Sequence, residues 1–262
     1  MFDKYKIIDF HTHPFSAEIN NICSHKSNLN MDLKQSVELF KSFNVKYICG
    51  SVVGGSLNRR DSWEYVAELN EKALDIKERL NGFYIPGFHV HPKYVKQSIY
   101  EIEKMHKKGI NLIGELVPYL QGWDNYADKN FFEIMECAEH YGMILSFHSM
   151  GEDNMDELVK RFKKLRLVAA HPGEYDCYLR HMKRMNANEN YYLDLSGTGI
   201  FRYGLLRRMI DEFGASRFIF GSDYPTCNLA MFVGGVALDD LISEEEKKQI
   251  FYSNAAKLLN IN

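Results

Sequence analysis

Residues Phe83 to His148, FYIPGFHVHPKYVKQSIYEIEKMHKKGINLIGELVPYLQGWDNYADKNFFEIMECAEHYGMILSFH, read as strand, helix, strand, helix, strand. Phe83 to Phe88 is short and rich in aromatic and β-branched residues, as strands are. Lys93 to Lys107 has helical spacing and ends at Gly109. Leu112 to Val117 is the next strand, and Asn130 to Tyr141 a helix ended by Gly142. Met143 to Phe147 is a further strand. The same rhythm extends both ways. Upstream lie a strand at Tyr5 to Phe10, a polar loop from Ser16 to Asn30 and a helix from Asp32 to Phe43, with Leu33, Val37, Leu39 and Phe40 on one side. A strand at Val45 to Cys49 and a long helix at Asp61 to Leu80, stopped by Asn81-Gly82, follow. Downstream come a helix at Met155 to Lys164, a strand at Leu165 to Ala169, helical sequence at Tyr178 to Met185 and a strand at Tyr191 to Leu195. Leu205 to Phe213 is a helix stopped by Gly214, Phe218 to Phe220 a strand, and Ser243 to Leu259 a closing helix whose Ser243 and Glu246 match a capping box. Eight strands alternating with helices predict a parallel sheet, and eight units in 262 residues predict a closed (β/α)8 barrel of the TIM type as one domain over 1–262.

The chain carries 32 Lys+Arg against 35 Asp+Glu, a net charge of −3, so no bulk field recruits nucleic acid. The five cysteines, Cys23, Cys49, Cys137, Cys177 and Cys227, form no CxxC, which suggests neither a disulfide scaffold nor a zinc ribbon. No stretch approaches the roughly 18 apolar residues of a membrane span. The charged start MFDKYKIIDFHTHP does not read as a signal peptide. The expectation is a soluble, cytoplasmic protein.

Strand ends carry the chemistry. Strand one ends in His11-Thr12-His13, and a strand's period of two puts both histidines on one face. Strand four ends in Gly114-Glu115-Leu116, strand five in Phe147-His148-Ser149, strand six in Ala170-His171-Pro172-Gly173 and strand eight in Gly221-Ser222-Asp223-Tyr224-Pro225. Singly, each has a simpler reading: a hydrogen-bonded histidine, a turn or cap aspartate, a glutamate paired with a lysine. Together, six groups of metal-ligand type fall at the catalytic end of five strands. Imidazole and carboxylate donors suit zinc first, and also manganese, iron or nickel.

These strand ends, with Asp9-Phe-His-Thr-His-Pro at the start and Asn254-Ala-Ala-Lys-Leu-Leu at the close, resemble the amidohydrolase superfamily. The branch they resemble is the amidohydrolase-related one that also holds metal-dependent decarboxylases. The resemblance implies one or two divalent metals per chain. It makes His11, His13, His148 and Asp223 ligands and places Glu115 where two-metal members carry a bridging carboxylate or carboxylated lysine. His171 becomes a second-metal ligand or a polar catalytic group. Asp223, with His171, is the expected catalytic residue, and hydrolysis of an amide, ester or lactone of a small molecule is the expected reaction. The alternatives are a non-oxidative decarboxylase, a deoxyribonuclease of the TatD type and an inactive metal-binding barrel. His89, His91, Tyr119 and Arg202 are candidate substrate contacts; Trp123, Tyr203, Arg59 and Arg60 are weaker ones. Gly50 to Gly55 lacks the lysine of a phosphate loop. Neither a nucleic acid nor a membrane is expected as a partner, and the oligomeric state, homo-oligomer included, stays open.

Overall fold

The computed structural model describes residues 4–14, 32–54, 61–200 and 202–261. The polar loop expected at Ser16 to Asn30, together with Gly55, Arg59 and Arg60, lies outside the described residues. Eight strands, β1 (Ile7–Asp9), β2 (Val45–Ser51), β3 (Tyr84–Phe88), β4 (Leu112–Leu116), β5 (Ile144–His148), β6 (Arg166–Ala170), β7 (Tyr191–Asp194) and β8 (Phe218–Ile219), form one sheet in chain order, all neighbours parallel. The chain just past β1 closes the ring against the chain just past β8. Phe10 N donates to Phe220 O at 2.9 Å, Asp223 N donates to His11 O at 2.8 Å, and Thr12 bridges Tyr224. This is the expected (β/α)8 barrel.

The helices are α1 (Leu33–Ser42), α2 (Trp63–Arg79), α3 (Val95–Lys107), α4 (Lys129–His140), α5 (Glu152–Arg161), α6 (Tyr175–Ala187), α7 (Leu205–Phe213), α8 (Leu229–Ala237), α9 (Glu244–Lys248) and α10 (Asn254–Leu259). Their starts have local chemical causes. Asp32 and Gln35 form a capping box on α1, Asp128 caps α4, and the expected Ser243–Glu246 box opens α9. Most element ends fall within a few residues of the sequence reading, and three differences have a clear cause. Helix α5 starts at Glu152, because its first turn is acidic and carries no apolar residue to mark it before Met155. The closing segment is split by a π turn at Gln249–Ser253. Helix α8 was not expected: Gly234 and Gly235 weaken helical preference, but Leu229, Phe232, Val233 and Val236 are buried and packing decides.

Two apolar layers hold the barrel. The outer one lies between sheet and helices; the inner one includes Ile8, Cys49, Leu112, Ile144, Val168 and Ile219 from the strands. Ala255, Ala256 and Leu258 of α10 join the inner layer, so α10 plugs the end where strands begin. The other end is left to polar groups. Among the described residues no helix is long and apolar enough to cross a membrane.

Candidate metal centre

The six residues singled out at strand ends converge. Glu115 is central and buried. Its Oε2 lies 3.0 Å from His11 Nε2 and 3.1 Å from His13 Nε2. Its Oε1 lies 3.1 Å from His148 Nδ1 and 3.7 Å from His171 Nε2. One carboxylate thus faces one histidine pair with each oxygen. Asp223 Oδ1 stands 3.6 Å from His11 Nε2 and 3.5 Å from His13 Nε2. His11, His13 and Glu115 form one metal-sized group; Glu115, His148 and His171 form another.

Backbone geometry sets these side chains. Gly114 has φ +87°, and a Cβ there would sit 2.0 Å from Ser146 O of β5. Only glycine lets β4 approach β5 this closely and turn Glu115 inward. Ser51 Oγ donates to Glu115 O at 2.6 Å and steadies that turn. His171 and Asp223 take positive φ, +68° and +57°. Such conformations cost about 1–3 kcal/mol each and persist where surrounding structure holds them.

The far nitrogens of His11, His13 and His171 are anchored, whereas His148 turns its Nδ1 to Glu115. His11 Nδ1 meets Asp194 Oδ2 at 2.9 Å, His13 Nδ1 donates to Ser51 O at 3.0 Å, and Ser196 Oγ lies 3.0 Å from His171 Nδ1. An anchored Nδ1 leaves Nε2 as the inward donor atom, the usual arrangement around a metal-binding histidine. Asp194, Ser196 and Ser51 were not singled out in the sequence. Asp194 ends β7 and obeys the strand-end rule that found the others; Ser196 gives no such signal. Cys227, also missed as a contact, donates from Sγ to Asp223 Oδ2 at 3.6 Å.

Electrostatics follow from packing. Burial opposes the charge on Glu115, but His11 beside it outweighs burial and holds the carboxyl well below its ordinary range. Burial likewise disfavours the His11 cation; Glu115 and Asp194 overcome it and raise its proton affinity well above the usual value. His148 is raised against burial by Glu115, whereas burial wins at His171 and lowers it. Asp9, buried in β1, is pushed up to about 7 by desolvation although it accepts from Ser222 N at 2.9 Å. The cluster is a carboxylate-rich pocket that attracts positive charge.

The candidate substrate contacts separate. Tyr119 sits at the rim, 37% exposed, its ring 5.4 Å from that of His148 and edge-on to it. Its hydroxyl feels the charges of Glu115 and Asp223. His89 is buried, donates from Nε2 to Val52 O at 2.8 Å and leaves Nδ1 without a hydrogen-bond partner among the described residues. Burial lowers its pKa to about 4. His91 stands apart: Nε2 donates to Gln121 O at 3.0 Å, and the ring lines a separate hollow of about 440 Å³ with Asp61 and Trp123. Arg202 pairs with Glu174, and Tyr203 donates to Asp240 Oδ1 at 3.1 Å.

A protein-family model described as amidohydrolase matches residues 8–261. A comparison with curated proteins finds no match. Among solved structures, 2,6-dihydroxybenzoate decarboxylase from Rhizobium superposes with a TM-score of 0.75 at 14% identity, covering 98% of this chain and 99% of that one. A 5-carboxyvanillate decarboxylase from Novosphingobium aromaticivorans, complexed with manganese and 4-hydroxy-3-methoxy-5-nitrobenzoic acid, gives 0.73 at 13% identity, covering 98% and 96%. A probable 2-pyrone-4,6-dicarboxylic acid hydrolase from Acinetobacter baumannii with citric acid bound gives 0.69 at 14% identity, covering 97% and 99%. At such identities the likeness carries the fold alone.

Proposed function

The chain belongs to the amidohydrolase family, and on that premise we propose that it hydrolyses an amide, ester or lactone of a small molecule at a centre for two divalent cations, both of which Glu115 would help to hold. The observation that carries this is the division of Glu115: Oε2 to the His11–His13 pair, Oε1 to the His148–His171 pair. The residues fit such ions. The donors are imidazoles and carboxylates, and no metal-sized group among the described residues includes a cysteine. The anchored Nδ1 atoms aim donor nitrogens inward. His11, His13, Asp223 and Glu115 would hold one ion; Glu115, His148 and His171 the other. When bound, a divalent cation such as zinc or manganese acidifies water and polarises a carbonyl.

The chain's own groups supply the rest. Asp223 is oriented by its N–H bond to His11 O and by the Cys227 thiol. Its carboxylate takes a proton from the attacking water and returns it to the leaving group. His171 has its Nδ1 held by Ser196 and its Nε2 facing inward, the atom that would hold the second cation; with a single metal the same nitrogen would instead face charge growing on the substrate oxygen. Tyr119, at the rim beside His148, offers its O–H to the substrate's carbonyl oxygen.

The second reading is a one-metal decarboxylase of an aromatic acid. It is favoured by the superposed decarboxylases and by the manganese in one of them. There Glu115 would serve only as a hydrogen-bond partner of the histidines. Elemental analysis of protein purified without chelator separates the two. The hydrolase reading expects about two metals per chain in the wild type and one or fewer in Glu115→Gln, with hydrolysis of an ester and lactone panel reduced by orders of magnitude. One metal in both proteins, with carbon dioxide released from hydroxybenzoates, overturns it.

A further inference from the structure

At the end of the barrel opposite the metal centre, where strands begin, lies a cavity of about 310 Å³ lined by Arg166, Tyr192, Ser216, Arg217, Lys257 and Glu189, among others. Its volume is at the lower end of that of small-molecule sites, about 300–1,000 Å³. Arg166 opens β6, Tyr192 is the second residue of β7, Arg217 immediately precedes β8, and Lys257 lies on α10.

Both arginines are half-buried and held in place by backbone oxygens. Arg166 Nη1 donates to Leu258 O at 2.8 Å, and its Nη2 donates to Gly142 O. Arg217 donates from Nε to Tyr191 O at 2.8 Å and from Nη2 to Asn188 O at 2.7 Å. These bonds orient the guanidinium planes and cancel no charge. Among the described residues no carboxylate stands within ion-pair distance of Arg166, Arg217 or Lys257; Glu189, which lines the cavity, acts on Arg217 only from farther away. Two arginines and a lysine against one glutamate leave an excess of two positive charges. Burial pulls the pKa of both guanidiniums down. The Tyr192 ring lies 5.8 Å from Arg217 Cζ.

Partly buried cations without a counter-ion cost free energy that a bound anion returns. Guanidinium forks match the oxygens of phosphate and carboxylate, and a tyrosine O–H and a lysine add donors of the same kind. We propose that this cavity is an anion site for a tetrahedral oxyanion, either inorganic phosphate or the phosphoryl group of a small monoester. It is separate from the reaction centre. Its occupant ties the starts of β6, β7 and β8 to α10, so binding stabilises the closed barrel.

The test measures calorimetric binding and thermal unfolding of the metal-loaded protein with sulfate, inorganic phosphate and glycerol 3-phosphate, against chloride at equal ionic strength. Sulfate is included because it is a poor metal ligand. The expected result is saturable sulfate binding that raises Tm above the chloride value. Lys257→Gln combined with Tyr192→Phe should weaken it by about tenfold or more and leave Tm in chloride unchanged. Those two variants keep every arginine–carbonyl bond, so the loss reports the site and not a damaged fold. Tighter binding of glycerol 3-phosphate than of phosphate assigns the site to a monoester; equal binding assigns it to the inorganic ion. A sulfate isotherm unaltered in the double variant, or no stabilisation beyond chloride, overturns the proposal.

Discussion

Asp194 touches only the far side of His11, yet it decides which nitrogen of that ring faces Glu115. Its carboxylate accepts from Ser196 N at 2.9 Å as well as meeting His11 Nδ1, and both bonds fix its orientation. Asp194→Asn offers His11 an amide in place of a charge and releases the tautomer. Metal affinity should fall about 10–100-fold, read by competition with a chromophoric chelator. An unchanged affinity would show that His11 needs no such anchor. Gly197 is a second case. Its φ is +60°, and a Cβ there would lie 2.2 Å from His171 Nδ1. Gly197→Ala must therefore displace the His171 ring. On the proposed two-metal hydrolase reading, the expected outcome is loss of one metal and most hydrolysis, with the fold retained by circular dichroism; full stoichiometry in this variant would detach His171 from the metals.

At the level of elements, α10 illustrates how a short helix closes a barrel. Asn254, buried at its first position, donates from Nδ2 to Ala215 O and to Phe218 O, both at 2.8 Å. Ala215 O lies just before β8 and also accepts from Phe218 N, and Phe218 O belongs to the first residue of that strand. Asn254→Ala removes two buried hydrogen bonds and should destabilise the protein by about 1–3 kcal/mol, measured by urea unfolding; a change within error would mean water replaces the amide. Leu258 and Ala255 of the same helix belong to the layer inside the barrel, so its docking is coupled to the strands. The strand–helix alternation was readable because each strand is a compact apolar run and each long helix an amphipathic one. Helix α8 was not, since its two glycines erase the pattern that its buried face restores. Helix α5 was read three residues late at both ends for a related reason, its first turn being polar and carrying no apolar residue before Met155.

For the molecule as a whole, two buried histidines make stability fall on acidification. Burial lowers His89 to about 4 and His181 to about 3. The nearby Arg184 charge adds to burial at His181, whose Nδ1 lies 2.7 Å from Tyr191 Oη. The unfolded chain takes up protons at these histidines near pH 6.5, while the native protein does not until far lower pH. Between those values the unfolded state binds more protons, so stability rises with pH and is lost as pH falls below about 6.5. Each histidine should cost about 2 kcal/mol at pH 5 relative to pH 7.5. Denaturant unfolding at the two pH values measures the loss. His181→Gln should be less stable at pH 7.5 but lose clearly less on acidification than the wild type; an identical loss in both would place the titrating groups elsewhere.

What could be read directly from the chain was periodic or positional. Alternating apolar runs announced eight strands, and residues such as His11, His13, Glu115, His148, His171 and Asp223 stood out because each follows a strand at the same end. A barrel brings all strand ends into one ring, so shared position along the strands became proximity in space. Contacts between residues far apart in sequence had no such signature. That Glu115 spreads its two oxygens over two histidine pairs depends on the close approach of β4 to β5 at Gly114. That Asp194 and Ser196 hold the histidines from behind depends on β7 packing beside β8 and β6. The basic cavity at the opposite end required Arg166, Tyr192, Arg217 and Lys257, which span 92 positions, to meet under α10. Such meetings are set by ring closure and side-chain packing, which act between elements and leave no periodic trace within any one of them.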